Sequence, residues 1–110
     1  MWPLLGVIML DNLTGKKVVR YRAVAINWPP VVGYGYALYP VDHPSIYVSN
    51  SSICYTSNVV SIDFDTGRIE TIYTVYIPEK DDIINDLRNE RDQYEQIKKA
   101  IKKAIKNKYS

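Results

Sequence analysis

The last third of the chain limits its fold most. No proline follows Pro78 and no glycine follows Gly67, while Ile83, Leu87, Tyr94, Ile97, Ile101 and Ala104 recur at alternating steps of four and three, with Glu90 as the one polar interruption. That period lays a single apolar stripe along a long helix. Charge along the same segment is sorted. Residues 79–95 carry seven acids against Lys80, Arg88 and Arg91, a net −4, and residues 96–110 carry six lysines and no acid, a net +6. Acid first and base last suits the helix dipole. Pro78, followed by Glu79, Asp81 and Asp82, reads as the first turn. The expected helix spans residues 78–107 within a C-terminal unit of 78–110. At 1.5 Å per residue it forms a rod of about 45 Å, longer than a small domain needs to cover its core.

Such a helix has three uses. It can dock on its own β-domain, pair with another copy, or lay the lysines of residues 97–108 on a membrane surface or nucleic acid. The charge sorting sharpens the second. Side by side in parallel, two copies oppose like charges, whereas antiparallel copies lay each acidic half on a basic half. The sequence therefore predicts a homo-oligomer built on an antiparallel helix pair, with Ile83, Leu87, Tyr94, Ile97, Ile101 and Ala104 at the interface. No membrane span is expected. Residues 1–10 are apolar but lack the basic start of a signal peptide and fall short of the roughly 20 residues a span requires.

Residues 1–77 read as a β-domain. Strands are expected at residues 4–10, 16–28, 31–39, 45–48, 58–64 and 68–77, divided by turn chemistry at 11–15, Pro29 and Pro30, 40–44, 49–52, and Asp65, Thr66 and Gly67. In the second strand Val19, Tyr21, Ala23 and Ala25 make the better core face, which leaves Arg20, Arg22 and Val24 on the other. In the third, Val32, Tyr34, Tyr36 and Leu38 share one face. The fold class is mainly β with a C-terminal helix, α+β: a small antiparallel barrel or twisted sheet of five or six strands, then one long amphipathic helix.

The chemistry of an enzyme is missing from this pattern. His43 is the only histidine and Cys54 the only cysteine, so neither a structural zinc set nor an internal disulfide can form. Cys54, among Ser, Ile and Tyr, reads as a small buried hydrophobe. Asp63, Asp65 and Gly67 mimic the start of a calcium loop, but Thr74 stands where the loop's last glutamate belongs, and a hairpin turn accounts for the same residues. No catalytic residue, metal or cofactor is expected. The glycosylation patterns at Asn12 and Asn50 carry no weight without a secretion signal, and an intracellular, cytoplasmic setting is the simple expectation. Richness in Ile, Tyr and Lys with few Gln would suit a thermophile or one of its viruses.

Ten tyrosines against one phenylalanine are the unusual entry. Gly33, Tyr34, Gly35 and Tyr36, followed by Ile46, Tyr47 and Val48, resemble the paired RNA-binding motifs of cold-shock domains. Those domains are five-stranded barrels of the OB type that stack single-stranded bases on aromatic rings. Ser52 and Ile53, and Val60 through Gly67, extend the likeness, which covers residues 23–77. It departs at Val32, where the family has lysine, and at Ser49 and Asn50, where it has histidine and an aromatic. The resemblance implies contact with single-stranded nucleic acid. The physical logic stands beside it: tyrosines two apart share a strand face, each stacked base contributes about 1–3 kcal/mol, and nearby cations hold the backbone. The candidate face is Arg20, Arg22, Tyr34, Tyr36 and Tyr47. Otherwise the tyrosines pack the sheet and helix, and the protein is a structural or accessory assembly protein.

Overall fold

The computed structural model describes residues 9–26, 28–44 and 52–109. Among these residues six strands and one helix follow in order: β1 (Lys17–Val24), β2 (Ala37–Pro40), β3 (Cys54–Tyr55), β4 (Val59–Asp63), β5 (Arg68–Thr71), β6 (Thr74–Pro78) and α1 (Asp82–Tyr109). The expected strands at 4–10 and 45–48 lie outside the described residues, apart from Met9 and Leu10. Leu10 makes an isolated antiparallel bridge to Lys17.

The sheet runs β3-β2-β1-β6-β5-β4. It corrects the all-antiparallel expectation, because β1 and β6 pair in parallel, from Lys17 opposite Thr74 to Tyr21 opposite Pro78. The remaining pairs are antiparallel. Two meanders, β1-β2-β3 and β4-β5-β6, thus meet along their first and last strands.

Only residues 56–58 join β3 to β4, yet these are opposite edges. Six flat strands span about 24 Å, and the four steps from Tyr55 to Val59 reach about 14 Å at most. The sheet must therefore curl until its edges approach. Backbone bonds fix the corner: Thr56 N donates to Tyr36 O at 2.8 Å, Val59 N to Tyr34 O at 2.8 Å, and Gly33 N to Val59 O at 2.9 Å. Among the described residues the strand ladder stays open, so they form the twisted sheet and not the barrel.

Three local readings change. The stretch 68–77 is two strands, turned at Ile72 and Tyr73 without glycine or positive φ. The Thr71 hydroxyl supplies the turn chemistry by donating to Thr74 O at 2.8 Å and accepting from Thr74 N at 3.2 Å. A bulge shifts the register of β1 on β2 between Tyr21, opposite Pro40, and Ala23, opposite Tyr39. Alternation therefore slips by one, and Val24, expected beside the arginines, packs against the core instead. Pro78 ends β6 and does not open the helix, which begins four residues later at Asp82.

The core lies in the concave side of the sheet. Val19, Tyr21, Tyr36, Leu38, Cys54, Val59, Ile69 and Tyr76 come from the strands and their flanks, and Ile83 and Leu87 from the helix. Buried tyrosine demands partners for its hydroxyl. Tyr21 Oη donates to Gly67 O at 2.6 Å and Tyr36 Oη to Trp28 O at 2.8 Å. Among the described residues no buried side-chain nitrogen or oxygen is left unpaired.

Candidate interaction surface

The helix is docked over only part of its length. Ile83 and Leu87 are buried, Arg88 Nε donates to Phe64 O at 2.9 Å, and the Arg91 guanidinium lies 5.0 Å above the Phe64 ring. Tyr94 meets Trp28 edge to face. Beyond Lys98 every residue through Lys108 is exposed. Ile97, Ile101 and Ile105 are 48%, 53% and 53% exposed, on the same stripe that carries Leu87 and Tyr94. The molecule measures 68 × 25 × 24 Å. Its long axis is set by the 28-residue helix, about 42 Å at the usual rise.

The six predicted interface residues therefore divide. Ile83 and Leu87 are spent on the chain's own core, which corrects their assignment to an oligomer interface. Their spacing shows an apolar stripe and is silent about what covers it. Tyr94 is half-buried against Trp28. Ile97, Ile101 and Ala104 remain uncovered, and Ile105 joins them.

The predicted nucleic-acid face also divides. Arg20 and Arg22 stand on the outside of β1, because Val19 and Tyr21 take the inside. Arg20 is held by Asp42, through backbone N to Oδ1 at 2.8 Å and Nε to Oδ2 at 2.9 Å. The Arg22 guanidinium sits 5.1 Å from the Tyr39 ring centroid. Tyr36 faces the core and is 3% exposed, so it cannot stack a base; burial, then the charge of Glu90, raises its hydroxyl well above the ordinary tyrosine range. Tyr34 sits in a turn, where Gly33 takes φ 95°, and is 69% exposed. Tyr47 lies outside the described residues. The motif spacing assumed one strand through Tyr34 and Tyr36, but the strand begins only at Ala37.

A cleft of about 340 Å³ opens beside the middle of α1, lined by Ile26, Trp28, Pro29, Val31, Tyr34, Gly35, Tyr36 and Tyr94. A second, of about 350 Å³, shares Ile26, Gly35 and Tyr36 and adds the exposed Tyr55. Sequence reading missed this surface. Pro29 and Pro30 looked like a strand terminator, yet both are buried, and the segment they begin runs beside Tyr94. Trp28 followed by two prolines was the only signal available.

The charged clusters elsewhere are internally paired. Lys16 Nζ binds Glu70 Oε2 at 2.7 Å, and Arg68 spans Asp11 at 3.1 Å and Glu70 at 3.7 Å. The Lys16 bond holds Glu70 below the usual carboxylate range, and the Thr14 hydroxyl bond does the same for Asp11. Cys54 is buried, its Sγ 4.0 Å from Tyr76 Oη. Burial, then the charge of Lys17, depresses His43. Among the described residues no group of three or more His, Cys, Asp or Glu is placed to hold a metal ion, and no helix is long and apolar enough to cross a membrane.

No family model, no curated protein and no solved structure matches this chain.

Proposed function

We propose that this protein is a non-catalytic association module whose C-terminal helix joins copies of the chain. One observation carries the reading: Ile97, Ile101 and Ile105 lie half-exposed on a rod that has left its own β-domain. An isolated monomer gains nothing from extending an apolar stripe into water, whereas burying apolar area on a partner contributes about 25 cal/mol per Å². The lysines around the stripe keep the segment soluble until it is covered. The single, buried Cys54 fits a reducing, intracellular setting.

Light scattering of the full chain across concentration tests the reading. The wild type is expected as a dimer or higher oligomer, and Ile105→Asp as a folded monomer. A wild type that stays monomeric at high concentration would defeat it. Point substitution is the right tool, because removing the whole helix would also remove Ile83 and Leu87 from the core.

Contact with single-stranded nucleic acid is a second reading, resting on the exposed aromatics Trp28, Tyr34 and Tyr55, of which Tyr34 alone belongs to the five residues expected. Salt-sensitive fluorescence quenching by short oligonucleotides, lost in Tyr34→Ala, would support it.

A further inference from the structure

We propose that each copy seats its C-terminal stripe in the cleft between Trp28, Tyr34 and Tyr94 of a second copy, in a two-fold antiparallel pair. The proposal rests on reading α1 as an association element and adds where on the partner the stripe goes. A simple pairing of whole helices is excluded, because the N-terminal half of the stripe is already buried under its own sheet. A tail-to-tail contact of two C-terminal segments is opposed by charge, since it would set six lysines against six with no acid between them.

The cleft removes both obstacles. Its walls are mostly apolar and aromatic, Trp28 and Tyr34 are open to solvent, and it lies beside the middle of the helix. The acidic half of α1 runs past it. Asp82, Asp86 and Glu90 form no salt bridge with other described residues, and neither do Lys99, Lys102, Lys103 and Lys106. With the two-fold axis at residue 97, an antiparallel partner sets Lys99 beside Glu95, Lys102 beside Asp92 and Lys108 beside Asp86, while Lys103 and Lys106 come beside Arg91 and Arg88, whose charges are already met by Asp92 and Asp65.

Reach agrees. A two-fold axis at the level of Ile97 puts Ile101 of one copy beside residue 93 of the other, next to Tyr94 where the helix lines the cleft, and Ile105 about one turn further on, beside residue 89. Each copy then gives one stripe and receives one, so the dimer closes on itself and leaves neither surface over.

Disulfide trapping between variants that each carry one added cysteine in a Cys54→Ala background, mixed at equal concentration, tests the seat. With Tyr34→Cys and Ile105→Cys, bonds between residues 34 and 105 are expected to outnumber 105–105 bonds. Tyr34→Asp, at an exposed position, is expected to raise the dimer dissociation constant about tenfold, as loss of an interface anchor does. If Ile105→Asp dissociates the oligomer while Tyr34→Asp leaves it intact and 105–105 bonds dominate, the association reading stands and the cleft seat is overturned. If the wild type is monomeric, both fall. Tryptophan quenching by a short oligonucleotide, with no change in quenching on dimerisation, would assign the cleft to nucleic acid and overturn the seat as well.

Discussion

Trp28 and Tyr94 meet edge to face, with ring centroids 4.8 Å apart and planes inclined by 67°. This contact is where the helix stops being part of the domain. N-terminal to it the stripe is buried, and C-terminal to it the stripe is open. Such a pair contributes about 0.5–1.5 kcal/mol beyond the area it buries. Tyr94→Ala should therefore lower stability by about 1–2 kcal/mol in urea unfolding, and the Trp28 emission should move to longer wavelength as the indole gains water. No shift in either would mean the contact does not anchor the helix.

Two residues of the same stripe should behave in opposite ways. Leu87 is fully buried, and Leu87→Ala should cost about 2–5 kcal/mol by lost transfer energy and cavity formation. Ile101→Ala removes exposed surface and should change the unfolding energy of the monomer by about 0.5 kcal/mol or less, while weakening self-association. Chemical denaturation at a concentration below dimer formation separates the two terms.

Gly67 combines a turn with a close approach. Its φ is 75°, and a Cβ there would come within 2.9 Å of Pro78 Cγ. Its carbonyl also receives the Tyr21 hydroxyl. Gly67→Ala should destabilise by about 1–3 kcal/mol through backbone strain together with that clash, read as a fall in Tm. Gly15, whose φ is 72° but which has nothing within 4 Å, should lose less on the same change.

Acid should weaken the fold in two steps. His43 is depressed from 6.5 by burial and by Lys17. The unfolded chain therefore binds the proton more readily, and stability present above pH 6.5 is lost as pH falls through the lower folded value. Glu70, lowered from 4.5 first by its Lys16 bond, and Asp11, lowered from 3.8 first by its Thr14 bond, act in the same direction at lower pH. Unfolding followed against pH should show His43→Gln flattening the upper step and Glu70→Gln the lower one. A slope unchanged in both variants would assign the acid sensitivity to other groups.

Much of the helix was legible from the residues. Its stripe, its charge sorting, its acidic start and its basic end are local properties, fixed by a period of 3.6 and by the dipole. The same holds for the hairpin at Gly67, for the inward Val19 and Tyr21, and for the fold class of a sheet followed by one helix. Local pattern carries this because each of these features depends on residues a few positions apart.

What covers each face was decided only in three dimensions. The alternation of β1 could not reveal the bulge at Arg22 that turns Val24 inward. The spacing of Tyr34 and Tyr36 could not reveal that one lies in a turn and the other in the core. An amphipathic stripe is the same pattern whether it meets its own sheet, as at Leu87, or water, as at Ile105. The parallel pairing of β1 with β6 and the meeting of Trp28 with Tyr94 join segments from opposite ends of the chain. Residue type sets how much a surface gains by being buried, but only the packed chain determines which partner arrives to bury it.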